Sequence, residues 1–175
     1  ITPGNASRFS DGAGAVLIGS RAWANRHGLT ELAIIRDYQL TGVDSLHEEM
    51  LLGPAMSIPR LLGRNGLGFG DIAVWEIHEA FATQVLINRH CMASAEFVDE
   101  RLGAGLPSGE IPLERLNAWG GSLSLGNPFA ATGVRLLLTA AQRLQATGQR
   151  YAVVSTCAGG GLGAALLVEN PHYGS

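Results

Sequence analysis

The chain closes on two short apolar segments, Tyr151 to Ser155 and Ala164 to Val168, joined by a glycine-rich turn. This is its hardest folding constraint, because segments of that length bounded by glycine read as strands, and a strand pair must join a sheet built from residues upstream. The 24 glycines support such a sheet: they cluster at turns between apolar segments instead of spreading as in a linker. Ala13 to Ile18 reads as a buried strand, followed by a helix from about Arg21 to His27 with Ser20 as N-cap and Gly28 as stop. Leu32 to Tyr38 reads as a strand and Pro54 to Arg64 as a helix. Ile72 to Ile77 is a short strand running directly into a helix from Glu79 to about Arg89. Between Cys91 and Leu116 closely spaced Gly and Pro predict a helix followed by a loop, which could shape a substrate channel at about Met92 to Pro112. Beyond the turn Gly120-Gly121, Ala130, Val134, Leu137, Ala141 and Leu144 recur at helical spacing, thickened by Ala131 and Leu138, with Pro128 at or near the first turn. Alternating strands and helices ending in a strand pair make an α/β fold.

With 175 residues, 46% of them hydrophobic, one sizeable core and one domain are expected. Twelve basic against fifteen acidic residues, a net charge of -3, leave no electrostatic footprint for nucleic acid or an anionic membrane surface. Cys91 and Cys157 stand in different contexts and form no disulfide framework, which predicts a reducing, intracellular setting. No segment reads as a signal peptide or a membrane span. An initial Ile is unusual for an intact translation product, so a longer chain is expected.

Reactive or polar side chains fall where regular elements end, at Ile77-His78-Glu79-Ala80-Phe81, Gly126-Asn127-Pro128-Phe129 and Cys157-Ala158-Gly159-Gly160-Gly161. His78 follows a strand and is expected to project from the sheet edge, where an imidazole can donate to an oxyanion or exchange protons. In isolation it would read as a helix cap. Asn127, held extended by Pro128, would in isolation read as a turn residue. Cys157 carries more: it ends a strand and meets glycines that let a ligand approach the backbone and leave N–H groups free for developing negative charge. Cys91 fits the commoner pattern of a small buried hydrophobe. Gly159, Gly161 and Ala164 also match the spacing of a dinucleotide-binding fingerprint. That motif must open a helix with an acidic residue about twenty positions on, and here a strand follows.

Together these runs resemble the thiolase family, in order and over most of the chain. Thr2-Pro3-Gly4-Asn5-Ala6-Ser7 with Asp11-Gly12-Ala13-Gly14-Ala15 is similar to the opening of a thiolase C-terminal domain. Glu76-Ile77-His78-Glu79-Ala80-Phe81-Ala82 resembles the His-bearing variant of the family's Asn-Glu-Ala-Phe block, found in trifunctional β-subunit-like thiolases of fatty-acid oxidation. Trp119-Gly120-Gly121-Ser122 through Pro128-Phe129-Ala130-Ala131-Thr132-Gly133 resembles the same branch, and Cys157 with its glycines the second catalytic cysteine. The resemblance implies one of two similar halves, a mixed five-stranded sheet covered by helices, with residues 1–175 as the C-terminal half and the nucleophilic cysteine on the other. It implies an acyltransferase that cleaves 3-ketoacyl-CoA with coenzyme A, or runs the reverse Claisen condensation. Coenzyme A and acyl-CoA are then its substrates, with no separate cofactor, and a homodimer or homotetramer in the cytoplasm or mitochondrial matrix is the expected setting. Cys157 is implied as acid and base, His78 as a donor to the thioester oxygen, Gly159 as an oxyanion-hole N–H, and Phe81 as a pantetheine contact.

One position departs from the family pattern. Where most thiolases have Gly-His-Pro this chain has Gly126-Asn127-Pro128, and an amide can donate a hydrogen bond but cannot act as a base. His78 with Asn127 resembles ketoacyl synthase III-type condensing enzymes, which lack a counterpart of Cys157. A thiolase with altered nucleophile activation, a condensing enzyme, and an attenuated or non-catalytic acyl-CoA-binding subunit are therefore all compatible with the sequence.

Overall fold

Strands that are apolar on both faces need cover on both, and this chain supplies it from separate helices. The computed structural model describes residues 1–174. The strands β1 (Ile34–Gly42), β2 (Val74–Ile77), β3 (Tyr151–Ala158) and β4 (Leu162–Glu169) form one mixed sheet in the order β1-β4-β3-β2. β4 is antiparallel to both its neighbours, and β2 is parallel to β3 with Val74 opposite Ala152 and Ile77 opposite Ser155. The helices are α1 (Arg21–Arg26), α2 (Leu46–Glu49), α3 (Gly53–Arg64), α4 (Ala82–Ala93), α5 (Ala95–Leu102), α6 (Ser122–Leu125) and α7 (Ala130–Thr147). The last four lie in the crossover that the parallel pair requires.

Side-chain alternation sorts the core into two clusters. Trp75, Ile77, Val153, Ala165 and Leu167 pack on Ile58, Leu61 and Leu62 of α3 and Met92 of α4. Val74, Ala152, Val154 and Val168 pack on Leu136, Ala140 and Leu144 of α7. α3 lies close against β4: a Cβ on Gly53 or Gly163 would fall on the other's backbone. Asn88 of α4 locks the start of α3, with Oδ1 accepting from the Ala55 N–H at 2.8 Å and Nδ2 donating to the Leu51 carbonyl at 2.9 Å. On the α7 face the fully buried Glu76 pairs with Arg143 at 2.5 Å, and Arg143 also donates to the Arg115 carbonyl. Burial outweighs that cation and pushes the Glu76 carboxyl up to about 7.

The fold departs from the sequence reading in several places, each for a tertiary reason. The sheet has four strands where five were expected; Leu116 adds only an isolated bridge to Trp75 at the β2 edge. Residues 13–18 form no strand, because they run past α7, Gly12 against Pro128 and Gly14 against Val134, without a strand to pair with. β1 runs four residues further than expected, to Gly42. The helix after β2 begins at Ala82, not Glu79: the Ala80 carbonyl accepts from the Ser7 N–H, and the Ala82 N–H donates to the Asn5 carbonyl. Between Cys91 and Leu116 the chain holds the end of α4, all of α5 and a 3-10 turn at Leu113–Arg115. Pro128 precedes the Phe129 N-cap of α7, and Cys91 is only half-buried. The helix at α1 starts and stops as expected, with the Ser20 hydroxyl accepting from the Trp23 N–H and Gly28 at φ +64°.

Candidate active site

Parallel neighbours end together, so the loops leaving β2 and β3 emerge side by side. The His78 N–H donates to the Ser155 carbonyl at 2.8 Å, two residues before Cys157. The backbone thus brings His78 and Cys157 to one end of the sheet.

His78 follows Val74 and Glu76 onto the α7 face. It is buried rather than projecting from the sheet edge, because the turn ahead of α6 closes over it; its Nδ1 lies 2.8 Å from the Ser122 hydroxyl. That turn is held by Glu79, whose Oε1 accepts from Asn117 Nδ2 at 2.6 Å and whose Oε2 accepts from the Leu123 N–H at 2.9 Å. Gly121 is required there, since a Cβ would collide with the Glu79 carboxylate. Arg135 of α7 donates to the same Ser122 hydroxyl at 3.0 Å. Burial, and then the Arg135 cation, hold the His78 pKa below that of ordinary histidine, with Glu79 pulling the other way. The ring is neutral at physiological pH.

Cys157 lies inside β3, opposite Gly163 of β4, and is 5% exposed. Burial pushes its thiol up to about 11, so at neutral pH it carries its proton. The chain turns at Gly160 and Gly161, with φ of 96° and 74°, a region that suits glycine. Gly159 is exposed, and a Cβ there would meet nothing within 4 Å. No hydrogen bond joins Cys157 to His78 or Asn127 among the described residues.

Phe81 and Asn127 are brought together by a stretch that entered the sequence reading only through the family resemblance of residues 2–7. Residues 5–10 bridge both: Ala6 pairs with Phe81 and Phe9 with Asn127, the Asn127 N–H donating to the Arg8 carbonyl at 2.8 Å. The Asn127 side chain is buried, with Oδ1 accepting from the Phe129 N–H at 3.1 Å and from the Thr132 hydroxyl at 2.9 Å. Its Nδ2 has a longer contact, 3.4 Å, to the Ser7 hydroxyl. Phe129 sits at φ 49°, a strained conformation for a bulky residue, against the Phe9 ring at 5.1 Å.

The sequence reading missed Ser122 as a partner of His78, and Arg135 altogether. One signal was available: Arg135 falls between Ala131 and Leu138, where the apolar stripe of α7 should continue. Among the described residues no three His, Cys, Asp or Glu side chains converge as metal ligands, and no helix is long and apolar enough to cross a membrane.

A family model described as Thiolase, C-terminal domain, matches residues 29–170. A probable 3-ketoacyl-CoA thiolase of Caenorhabditis elegans is 45% identical over 169 residues, 97% of this chain and 38% of that protein. The mitochondrial trifunctional enzyme subunit beta of Bos taurus is 44% identical over 97% of this chain and 35% of its own length. A crystal structure of human mitochondrial 3-ketoacyl-CoA thiolase in complex with CoA superposes with a TM-score of 0.79 at 34% identity, over 97% of this chain and 38% of that one. The chain therefore spans little more than a third of the length of these relatives.

Proposed function

Because the chain belongs to the thiolase family, matching its C-terminal domain, we propose that it is the C-terminal half of a 3-ketoacyl-CoA thiolase, an acyltransferase that cleaves 3-ketoacyl-CoA with coenzyme A to acyl-CoA and acetyl-CoA. Its relatives from Caenorhabditis elegans and Klebsiella pneumoniae carry 3-ketoacyl-CoA thiolase in their names, and a third is a trifunctional enzyme subunit beta. The observation that carries the reading is that His78 and Cys157 leave adjacent parallel strands at one end of the sheet, the His78 N–H bonded to the Ser155 carbonyl two residues before Cys157, with burial favouring the neutral form of both side chains.

In this proposal a nucleophilic cysteine on the other half attacks the 3-keto carbon. The bond between C2 and C3 breaks, and its electron pair becomes the enolate of acetyl-CoA. Cys157 protonates C2. Its thiolate then takes the proton of the incoming coenzyme A thiol, whose sulfur displaces the acyl group from the nucleophile. A thiol with a raised pKa suits the first of these steps, since it is a protonated donor at neutral pH and its conjugate base is strong. His78 donates to the thioester oxygen as negative charge builds there, and the Gly159 N–H serves the tetrahedral intermediate. Phe81 contacts the pantetheine arm. Asn127 donates through Nδ2, its Oδ1 being committed to the start of α7. The proposed assembly is a homodimer or homotetramer, in bacterial cytoplasm or the mitochondrial matrix.

Asn127 Nδ2, held among the described residues only by its long 3.4 Å contact to the Ser7 hydroxyl, also fits a condensing enzyme in which His78 and Asn127 both hold the thioester oxygen. The full-length protein decides between them, assayed with 3-ketoacyl-CoA plus coenzyme A and, separately, with acyl-CoA donors. Thiolysis that vanishes in Cys157→Ala is expected. Condensation indifferent to that substitution would overturn the thiolase reading, and acyl-CoA binding with no turnover would indicate a non-catalytic subunit.

A further inference from the structure

We infer that Ser122 and Arg135 fix the tautomer of His78, with its proton on Nε2, and so act as positioning residues for the hydrogen bond His78 donates; the catalytic part of this inference rests on the thiolase reading above. A guanidinium has donors and no acceptor, so across the 3.0 Å contact Arg135 Nη2 donates and Ser122 Oγ accepts. Ser122 is fully buried, and its one hydroxyl hydrogen needs an acceptor. Its other side-chain partner among the described residues is His78 Nδ1, at 2.8 Å. The hydroxyl therefore donates to Nδ1, Nδ1 is the unprotonated nitrogen, and Nε2 carries the hydrogen of the neutral ring.

The surroundings oppose the other arrangements. If Ser122 accepted from both neighbours, its own hydrogen would be left buried without a partner. A doubly protonated ring would meet the Arg135 cation. Arg135 makes no contact ion pair among the described residues, its Nε and Nη1 are buried without hydrogen-bond partners, and the nearby Glu76 is engaged by Arg143. The charged groups around the ring are Arg135 from α7, Glu79 from the turn after β2, and Glu76, which Arg143 engages. Glu79 also braces the turn carrying Ser122 through Asn117 and the Leu123 N–H, which keeps the hydroxyl in place.

The test uses the full-length protein labelled with 15N-histidine, the His78 signals being identified by their loss in His78→Gln. The expected result is a single Nε2–H tautomer with Nδ1 accepting a hydrogen bond, which needs no turnover to observe. In Arg135→Met the hydroxyl is free to turn, so a mixture of tautomers and a raised His78 pKa are expected. In Ser122→Ala the Nδ1 resonance should move to that of an unbonded nitrogen, and Ser122→Thr should restore it. Should one variant fail to fold, the other reads the same relay from its other link. Wild-type protein with Nδ1–H, or an Nδ1 resonance unchanged in the folded variants, overturns the inference. In the thiolysis assay each variant is expected to lose about ten- to a hundred-fold in kcat, the size of loss seen when the partner that orients a metal-bound histidine is removed. KM should stay within about three-fold, since the bond matters most where charge develops. Absent thiolysis with the tautomer shifts intact would sink the thiolase reading and leave the relay standing.

Discussion

His78 and Cys157 leave neighbouring strands at the same end of the sheet, yet they are held in opposite ways. His78 is bonded at its backbone to Ser155 and at its ring to Ser122, which Arg135 and the Glu79 turn hold in turn. Cys157 has no comparable side-chain tether; burial raises its pKa against a smaller lowering by its own backbone, and two residues on the chain opens into exposed glycine. The contrast matches what each is proposed to do. A donor to developing charge works by fixed direction, whereas an acid and base must gain and lose a proton in each cycle, which a tight hydrogen bond would oppose.

The contrast breaks first, and most strongly, at Cys157. In the full-length protein Cys157→Ala should lower thiolysis by about a hundred- to ten-thousand-fold, the range for losing a positioned acid and base; a smaller loss in steady-state assays would mean that the untethered thiol is not the proton carrier. Its chemistry can be read without substrate. With the pKa moved from 9.0 to about 11, little thiolate exists at pH 8, and alkylation by iodoacetamide should run about a hundred-fold slower than for an unperturbed thiol. The rate should climb with pH towards 11, as followed by mass spectrometry. A packing probe comes next. Gly163 stands opposite Cys157 and abuts Gly53, so Gly163→Ala should cost about 1–3 kcal/mol of stability in chemical denaturation. The Asn127 side chain ahead of α7 is a smaller matter: Asn127→Ala, which removes the acceptor for the Phe129 N–H and the Thr132 hydroxyl, should cost about 1 kcal/mol in chemical denaturation.

The smallest effect lies away from both. At the outer edge of β1 the Arg64 guanidinium lowers the Asp37 carboxyl from 3.8 to about 2. A lowered carboxylate contributes stability above its unfolded pKa and loses it as pH falls through the folded one, so this contribution should fade between about pH 4 and 2. Arg64 is half exposed, and solvent screening limits the loss in Asp37→Asn to below about 1 kcal/mol, measured at neutral pH by denaturant titration.

Much of this was legible in the chain itself. Ser20 and Gly28 bound a helix because a hydroxyl cap and a left-handed glycine act over a few residues, and the stripe on α7 is local for the same reason. The strand ends at His78 and Cys157 were marked by apolar runs that stop at polar or glycine positions. Other features were not legible. Residues 13–18 have the composition of a strand, but a strand exists only where another backbone completes its ladder. Leu17 and Ile18 stay exposed in consequence, and β1, the edge strand, also leaves Tyr38 and Leu40 exposed.

The sequence by itself determined the order of elements, the polar residues at their ends and the family pattern, because caps, periodicity and motifs are written in neighbouring residues. Only the tertiary structure decided that His78 is buried and neutral, that Ser122 and Arg135 stand behind it, and that residues 5–10 join Phe81 to Asn127. Burial, charge and hydrogen-bond partnership at those positions come from residues that are distant along the chain and adjacent in space.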